Sequence, residues 1–120
     1  MGKKTKKNRI KDEQTRLNNL YSELSQEKKM IAEGLIERAA FMRVELDELE
    51  TDLQQNGWTE PFSQGGPTYD RARPQGQSYN TLNANYQKIM KQLDAMLPPP
   101  APPKQEGDGF DDFVNGRDDE

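Results

Sequence analysis

Hydrophobic residues recur at helical spacing in three segments of the chain. Over residues 12–24, spacings of three and four place four of them on one helical face, namely Leu17, Leu20, Tyr21 and Leu24. Residues 25–56 contain no proline, and their apolar positions follow an a/d heptad pattern: Leu35, Ala39, Met42, Leu46, Leu49 and Leu53. A third helix is predicted over 78–97, where the repeat comprises Tyr79, Leu82, Tyr86, Ile89, Leu93 and Met96.

The last two seams have nearly equal length and are joined by a long connection, which favours an antiparallel pair. In that register Leu53 faces the start of the third helix and Leu35 faces its end. Lys88 and Lys91 then fall beside the acidic run at 45–50 and are expected to pair with it. The fold class predicted is all-α: a coiled-coil-like hairpin of one long and one shorter helix, preceded by a short N-terminal helix, with disordered termini.

Glycine and proline mark where these elements end. Gly57 is placed to end the long helix in the left-handed conformation, and Gly34 within that helix suggests a close crossing. Residues 57–77 are rich in both breakers and predict an irregular loop, or a short hairpin at most. Its aromatic residues are expected to pack on the helix ends: Trp58, Phe62 and Tyr69. Arg71 and Arg73 are expected to be exposed.

Charge is segregated along the chain. Residues 1–11 carry a local charge of +6 and no acid, and are predicted to be a disordered basic arm that contacts phosphate. The cations concerned are Lys3, Lys4, Lys6, Lys7, Arg9 and Lys11. A plain solubility tail is the alternative. Residues 98–120 form a proline-rich linker and an acidic tail in which Phe110, Phe113 and Val114 resemble a short docking motif. A tail with accidental apolar residues is the alternative there.

The composition excludes several kinds of chemistry. The sequence has no cysteine and no histidine, so it lacks thiolate zinc ligands, thiol nucleophiles and the commonest general base. The acids lie mostly off the helical seams, so a solvated face is expected rather than a metal site. No phosphate-binding or nucleophile motif occurs. We therefore expect the protein not to be an enzyme and to use no cofactor or metal. No apolar run is long enough for a membrane span, so we also expect a cytoplasmic protein.

The helical domain, residues 12–97, is not expected to be stable alone, because the two seams bury too little apolar surface to offset the entropy cost of ordering both helices. Self-association is therefore expected, most simply as a homo-oligomer. The predicted packing and assembly seam comprises Leu35, Ala39, Met42, Leu46, Leu49, Leu53, Leu82, Tyr86, Ile89 and Leu93.

Three stretches of the chain resemble a known family. They read KKMIAEGLIERAAFMRVELDELETDLQQNGWTEPF, SYNTLNANYQKIMKQLDAMLPPP and DGFDDFVNGR, and they lie within residues 28–117. The sequence there is similar to small subunits of the terminase, the DNA-packaging motor of tailed phages that infect Gram-positive bacteria. The resemblance is one of overall pattern and involves no catalytic signature.

The resemblance implies a role in the host cell cytoplasm. Terminase small subunits recognise double-stranded viral DNA, assemble into oligomers and regulate a large subunit that holds the ATPase and nuclease. By this resemblance the acidic tail docks on the large subunit. Many family members carry an N-terminal helix-turn-helix domain, and only a short helix precedes the long one here. A helix-turn-helix across the break at Leu24 and Ser25 would bring Lys28 and Lys29 to phosphate.

Two other functions remain open at this level. A helical protein–protein adaptor or head-assembly factor without direct DNA binding agrees with the acidic pI of about 5.0. An enzyme would require a metal or an active site completed by another chain.

Overall fold

Three helices and one two-stranded antiparallel sheet make up residues 4–99, the part of the chain that the computed structural model describes. The elements are α1 (Lys6–Leu20), α2 (Gln26–Asn56), β1 (Thr59–Phe62), β2 (Tyr69–Ala72) and α3 (Pro74–Met96). The three predicted helices are confirmed, whereas a strictly all-α fold is wrong because of the sheet. Lys3 and the acidic tail with Phe110, Phe113 and Val114 lie outside the described residues.

Two helices begin earlier than predicted, each at a residue suited to a helix start. The hydroxyl oxygen of Thr5 accepts a hydrogen bond from the backbone N–H of Asn8 at 3.1 Å and caps α1, which therefore begins at Lys6 rather than at residue 12. The prediction of a disordered arm over 1–11 is wrong from Lys6 onward. Helix α3 begins at Pro74 rather than at residue 78, because proline already has the backbone angle of a first helical turn.

The long helix α2 has the predicted limits. The Ser25 hydroxyl oxygen accepts from the backbone N–H of Lys28 at 3.3 Å, and Gly57 ends the helix with a φ of 80°. The close crossing suggested at Gly34 is wrong: a Cβ there would approach only the Arg38 guanidinium, at 3.3 Å, and no other helix.

Helix α2 lies between the other two helices, and both run antiparallel to it. At one end of α3 the Tyr79 hydroxyl donates to Glu50 at 3.0 Å, and at the other the Lys28 ammonium donates to the Met96 carbonyl at 3.3 Å. These two contacts confirm the predicted antiparallel direction, although Lys28 lies seven residues before Leu35, the residue predicted to face the end of α3. The start of α1 lies beside Glu48, and its far end lies beside residues 29–36. The two helices thus run alongside each other as an αα-hairpin, unlike the crossing of about 90–120° in a helix-turn-helix.

The core sits where all three helices meet. Leu17, Tyr21 and Leu24 come from α1 and the turn after it, and Leu93 comes from α3. The residues of α2 facing them are mostly small, which allows close approach on two sides: Ala32, Ile36, Ala39 and Ala40. Leu20 is 57% exposed, so its predicted place on the buried face is wrong. Helix α1 ends at Leu20, and the turn that follows redirects the chain.

The connection between α2 and α3 contains a β-ribbon. Strands β1 and β2 pair with Thr59 opposite Ala72 and Phe62 opposite Tyr69. The backbone N–H of Arg73 donates to the Trp58 carbonyl at 2.9 Å. Because bonded and non-bonded pairs alternate along an antiparallel ladder, Pro61 falls in a non-bonded pair, where its missing N–H costs no ladder hydrogen bond. Of the two possibilities predicted for this segment, an irregular loop or a short hairpin, the structure has the short hairpin at these eight residues.

The loop aromatics divide between two places. The rings of Phe62 and Tyr69 meet edge to face across the ribbon at 5.6 Å, and the Arg71 guanidinium lies 3.9 Å above the Phe62 ring. Only Trp58 packs on a helix, where its ring meets Tyr79 edge to face at 6.0 Å. The expected packing on helix ends is therefore right for Trp58 and wrong for the other two aromatic residues.

Candidate functional site

The basic residues at the start of α1 face acids on α2. The Lys6 ammonium pairs with Glu45 and lies 3.1 Å from a carboxylate oxygen of Glu48. The Arg9 guanidinium lies 3.3 Å from the other oxygen of Glu48. We call these four residues the α1–α2 charge cluster. Hydrogen bonds to Glu45 and then to Glu48 raise the pKa of Lys6, so both carboxylates favour the charged ammonium.

The other cations predicted to contact nucleic acid have different surroundings. Lys4 pairs with Asp12 at 2.6 Å, and Lys28 donates to the Met96 carbonyl. Three exposed lysines form no ion pair within residues 4–99: Lys7, Lys11 and Lys29. The structure thus brings Lys6 and Arg9 together but neutralises them within the chain. On α1, Lys7 and Lys11 are one helical turn apart and open to solvent.

The expected pairing of Lys88 and Lys91 with the acidic run is wrong, because other residues hold those acids. Within residues 4–99 neither lysine forms an ion pair. Glu45 and Glu48 pair with α1, and Asp47 lies 3.7 Å from Arg43. The sequence showed the opposite charges of residues 1–11 and 45–50, but their separation along the chain concealed the pairing.

A second surface is the groove between α2 and the start of α3. Its apolar lining includes Phe41, Leu49 and Leu82, and all nine lining residues come from α2 and the segment 74–85. Helix α1 therefore does not cover this side. Phe41 is 50% exposed. Ile31 is 65% exposed and lies eighteen residues before Leu49, about five helical turns, so the same helix face extends to it. We call this surface the α2–α3 groove.

The ten residues of the predicted seam differ in burial, and two of them, Leu49 and Leu82, line the α2–α3 groove. Four are buried: Ala39, Leu46, Leu53 and Leu93. Six keep part of their surface accessible: Leu35, Met42, Leu49, Leu82, Tyr86 and Ile89. The helical period predicted which face of each helix is apolar. The positions of α1 and α3 against α2 determine which residues of that face are buried.

A third cluster joins the β-ribbon to the end of α2, and sequence reasoning missed it. Arg73 was expected to be exposed, yet its side chain is 11% accessible. Its guanidinium donates to the Gly57 carbonyl at 2.6 Å and to Asp52 at 2.8 Å. Hydrogen bonds from Arg73 and then from Asn56 lower the pKa of Asp52. No spacing in the sequence signals this contact, since the residues lie on either side of the ribbon.

The described residues hold no cluster of three or more potential metal-ligating acids. Among the helices of residues 4–99, none combines the length and apolar character needed to cross a membrane. What this part of the chain offers is therefore charge on α1 and an apolar groove on the α2–α3 hairpin.

Comparisons with protein-family models, with curated proteins and with solved structures find no match to this chain.

Proposed function

We propose that this chain is a non-catalytic DNA-packaging subunit of the terminase small-subunit type. In this role it self-associates through the α2–α3 groove, binds double-stranded DNA with the basic start of the chain, and recruits or regulates a large motor subunit through its acidic tail. The resemblance within residues 28–117 motivates the proposal.

The observation that carries the proposal is the uncovered apolar groove. Phe41 is half exposed and lies in the groove with Leu49 and Leu82. Apolar surface left exposed in this way contributes no stability to a folded monomer. Contiguous exposed apolar surface is typical of protein–protein contact sites. The groove lies on a rigid helical hairpin, which suits repeated association of identical subunits.

The DNA-binding part of the proposal depends on cations that point to solvent. Lys7 and Lys11 lie on one face of α1, and Lys29 lies at the start of α2. Each such contact to phosphate releases counterions, so affinity should fall as salt rises. Assembly multiplies these few contacts, because subunits bound to one duplex act together.

Light-scattering chromatography with and without duplex DNA, at low and moderate salt, tests the assembly and the DNA binding together. The expected result is a multi-subunit mass that increases with DNA, and less so at the higher salt. A monomer that is indifferent to DNA at both salt concentrations contradicts the proposal.

Two substitutions locate the assembly surface. Thr81→Arg puts a charge on an exposed lining position of the groove, and Phe41→Ser removes its most accessible aromatic ring. Both should lower the mass of the assembly. Leu20→Ser is the matched control, since Leu20 is equally exposed but lies on α1, outside the groove. Loss of assembly in the control alone would move the interface to α1.

The second candidate is a helical adaptor or head-assembly factor with no direct DNA binding. The α1–α2 charge cluster favours it, because Lys6 and Arg9 are already neutralised by Glu45 and Glu48. An intact assembly with no affinity for duplex DNA at low salt would select this function over the first.

A further inference from the structure

The carboxylates of Glu45 and Glu48 occupy the side of α1 where a phosphate group would contact Lys6 and Arg9. We propose that these two acids are an intramolecular substitute for DNA phosphate, which holds the two cations in the free protein and is displaced by the duplex. The inference deepens the proposed function, on which it rests, by stating how its DNA-binding surface is regulated.

The geometry is that of an occupied anion site. Lys6 lies between two carboxylates, and Arg9 shares one of them at 3.3 Å. Ammonium and guanidinium groups form the same charge-assisted hydrogen bonds with carboxylate and phosphate oxygens. The acids come from residues 39 or more positions away along the chain, so the tertiary fold alone brings them to this site.

The contact is built so that it can be exchanged. The four paired side chains are between 26% and 43% exposed. Exposed ion pairs contribute little stability and are screened by salt. The helix is anchored elsewhere, by Leu17 and Tyr21 in the core and by Ile10 packed against it. The Lys6 and Arg9 side chains can therefore exchange the acids for phosphate without opening that core.

A duplex is a strong competitor for these cations. It carries about one negative charge per 1.7 Å of its length, far denser than two carboxylates on a helix. Displacement adds Lys6 and Arg9 to the two cations of α1 that already face solvent, Lys7 and Lys11. In the free protein the same acids compete with weakly binding or short polyanions, because such ligands bind less favourably than the ion pairs that they would have to displace.

Neutralising both acids tests the inference. Glu45→Gln/Glu48→Gln keeps the size of both side chains and removes the competitor. The affinity for a duplex of random sequence should rise roughly threefold to thirtyfold. The slope of log affinity against log salt should change little, because Lys6 and Arg9 contact phosphate in both complexes. A slope steeper by about 2 in the variant would show that the acids keep both cations in the wild-type complex, which contradicts displacement.

The matched control is Glu23→Gln/Glu37→Gln. It changes the net charge equally but touches neither Lys6 nor Arg9, and both residues are exposed. Glu48→Gln alone should act in the same direction as the double variant. It lies outside the α2–α3 groove, so it separates the effect from any change in assembly.

Hydrogen exchange at residues 9–13 reports on the contact itself. Without DNA, the Glu45→Gln/Glu48→Gln variant should show faster exchange there than the wild-type chain, because the start of α1 loses its ion pairs to α2. If the wild-type chain binds the duplex but the double variant binds no more tightly than its control, the inference is overturned and the proposed function stands. If neither binds, the DNA-binding function fails and the inference fails with it.

Discussion

Replacing Gly76 with alanine should destabilise the protein, although alanine is the better helix former. Gly76 is buried in the first turn of α3, against the ring of Trp58. A Cβ at this position would lie 2.8 Å from the ring's Cε3 atom and 3.2 Å from Cζ3. Carbon atoms do not approach this closely, so the indole must move. Its edge-to-face contact with Tyr79 would then be lost.

The magnitude follows from two opposing effects. Overpacking typically costs about 1–3 kcal/mol, and because Trp58 is half exposed the lower part of that range applies. The gain from replacing glycine inside a helix is about 0.5–1 kcal/mol, and it is smaller in a first turn. The free energy of unfolding should therefore fall by about 1 kcal/mol, which corresponds to a lower Tm by roughly 4 °C.

Gly34→Ala is the matched control. Gly34 lies inside α2, and its added Cβ would meet only the end of the exposed Arg38 side chain, at 3.3 Å. This variant should gain about 0.5–1 kcal/mol. Urea unfolding followed by circular dichroism gives both free energies, and the emission of Trp58, the only tryptophan, reports on its ring. A Gly76→Ala variant as stable as Gly34→Ala, with unchanged emission, would refute the packing argument.

Three further predictions concern charged side chains. Arg73→Ala should lower the free energy of unfolding by about 1–3 kcal/mol in urea unfolding, because the Gly57 carbonyl loses a charged donor; an unchanged value would contradict the contact. Since the folded state lowers the pKa of Asp52, its ionised carboxylate stabilises the protein above the ordinary pKa of 3.8, and this contribution is lost as the pH falls through the lowered pKa. The Tm difference between wild type and Asp52→Asn should therefore shrink over that acid range, and a constant difference would refute it. Lys7→Gln/Lys11→Gln should weaken duplex binding and reduce its salt slope by about 2 in a fluorescence titration. The control is Lys88→Gln/Lys91→Gln on α3. An equal effect of the control would contradict a special role for α1.

Much of the helical architecture follows from local rules. The spacing of apolar residues predicted three helices, and the glycine at Gly57 predicted where α2 ends. Two other ends were missed, although Thr5 and Pro74 are residues that start helices. Thr5 lies in a run of basic residues that suggested a disordered arm, and Pro74 lies in a glycine-rich segment that suggested a loop, so neither was recognised as a helix start. The β-ribbon was predicted only as an alternative to an irregular loop, because four-residue strands carry too few positions for an alternating pattern.

The sequence by itself determined a long helix, a shorter antiparallel helix after it and a short helix before it, because helix period depends on residues a few positions apart. The packing of α1 against α2 was decided by the tertiary structure. Only the tertiary structure decided what the charged residues do. From the sequence, Lys6 and Arg9 were predicted to be free cations, but in the structure they pair with Glu45 and Glu48 on α2. Arg73 was predicted to be exposed, but the ribbon brings it back to Asp52 near the end of α2. Ion pairing depends on separations of a few ångströms between residues distant along the chain, and local spacing contains no information about those distances.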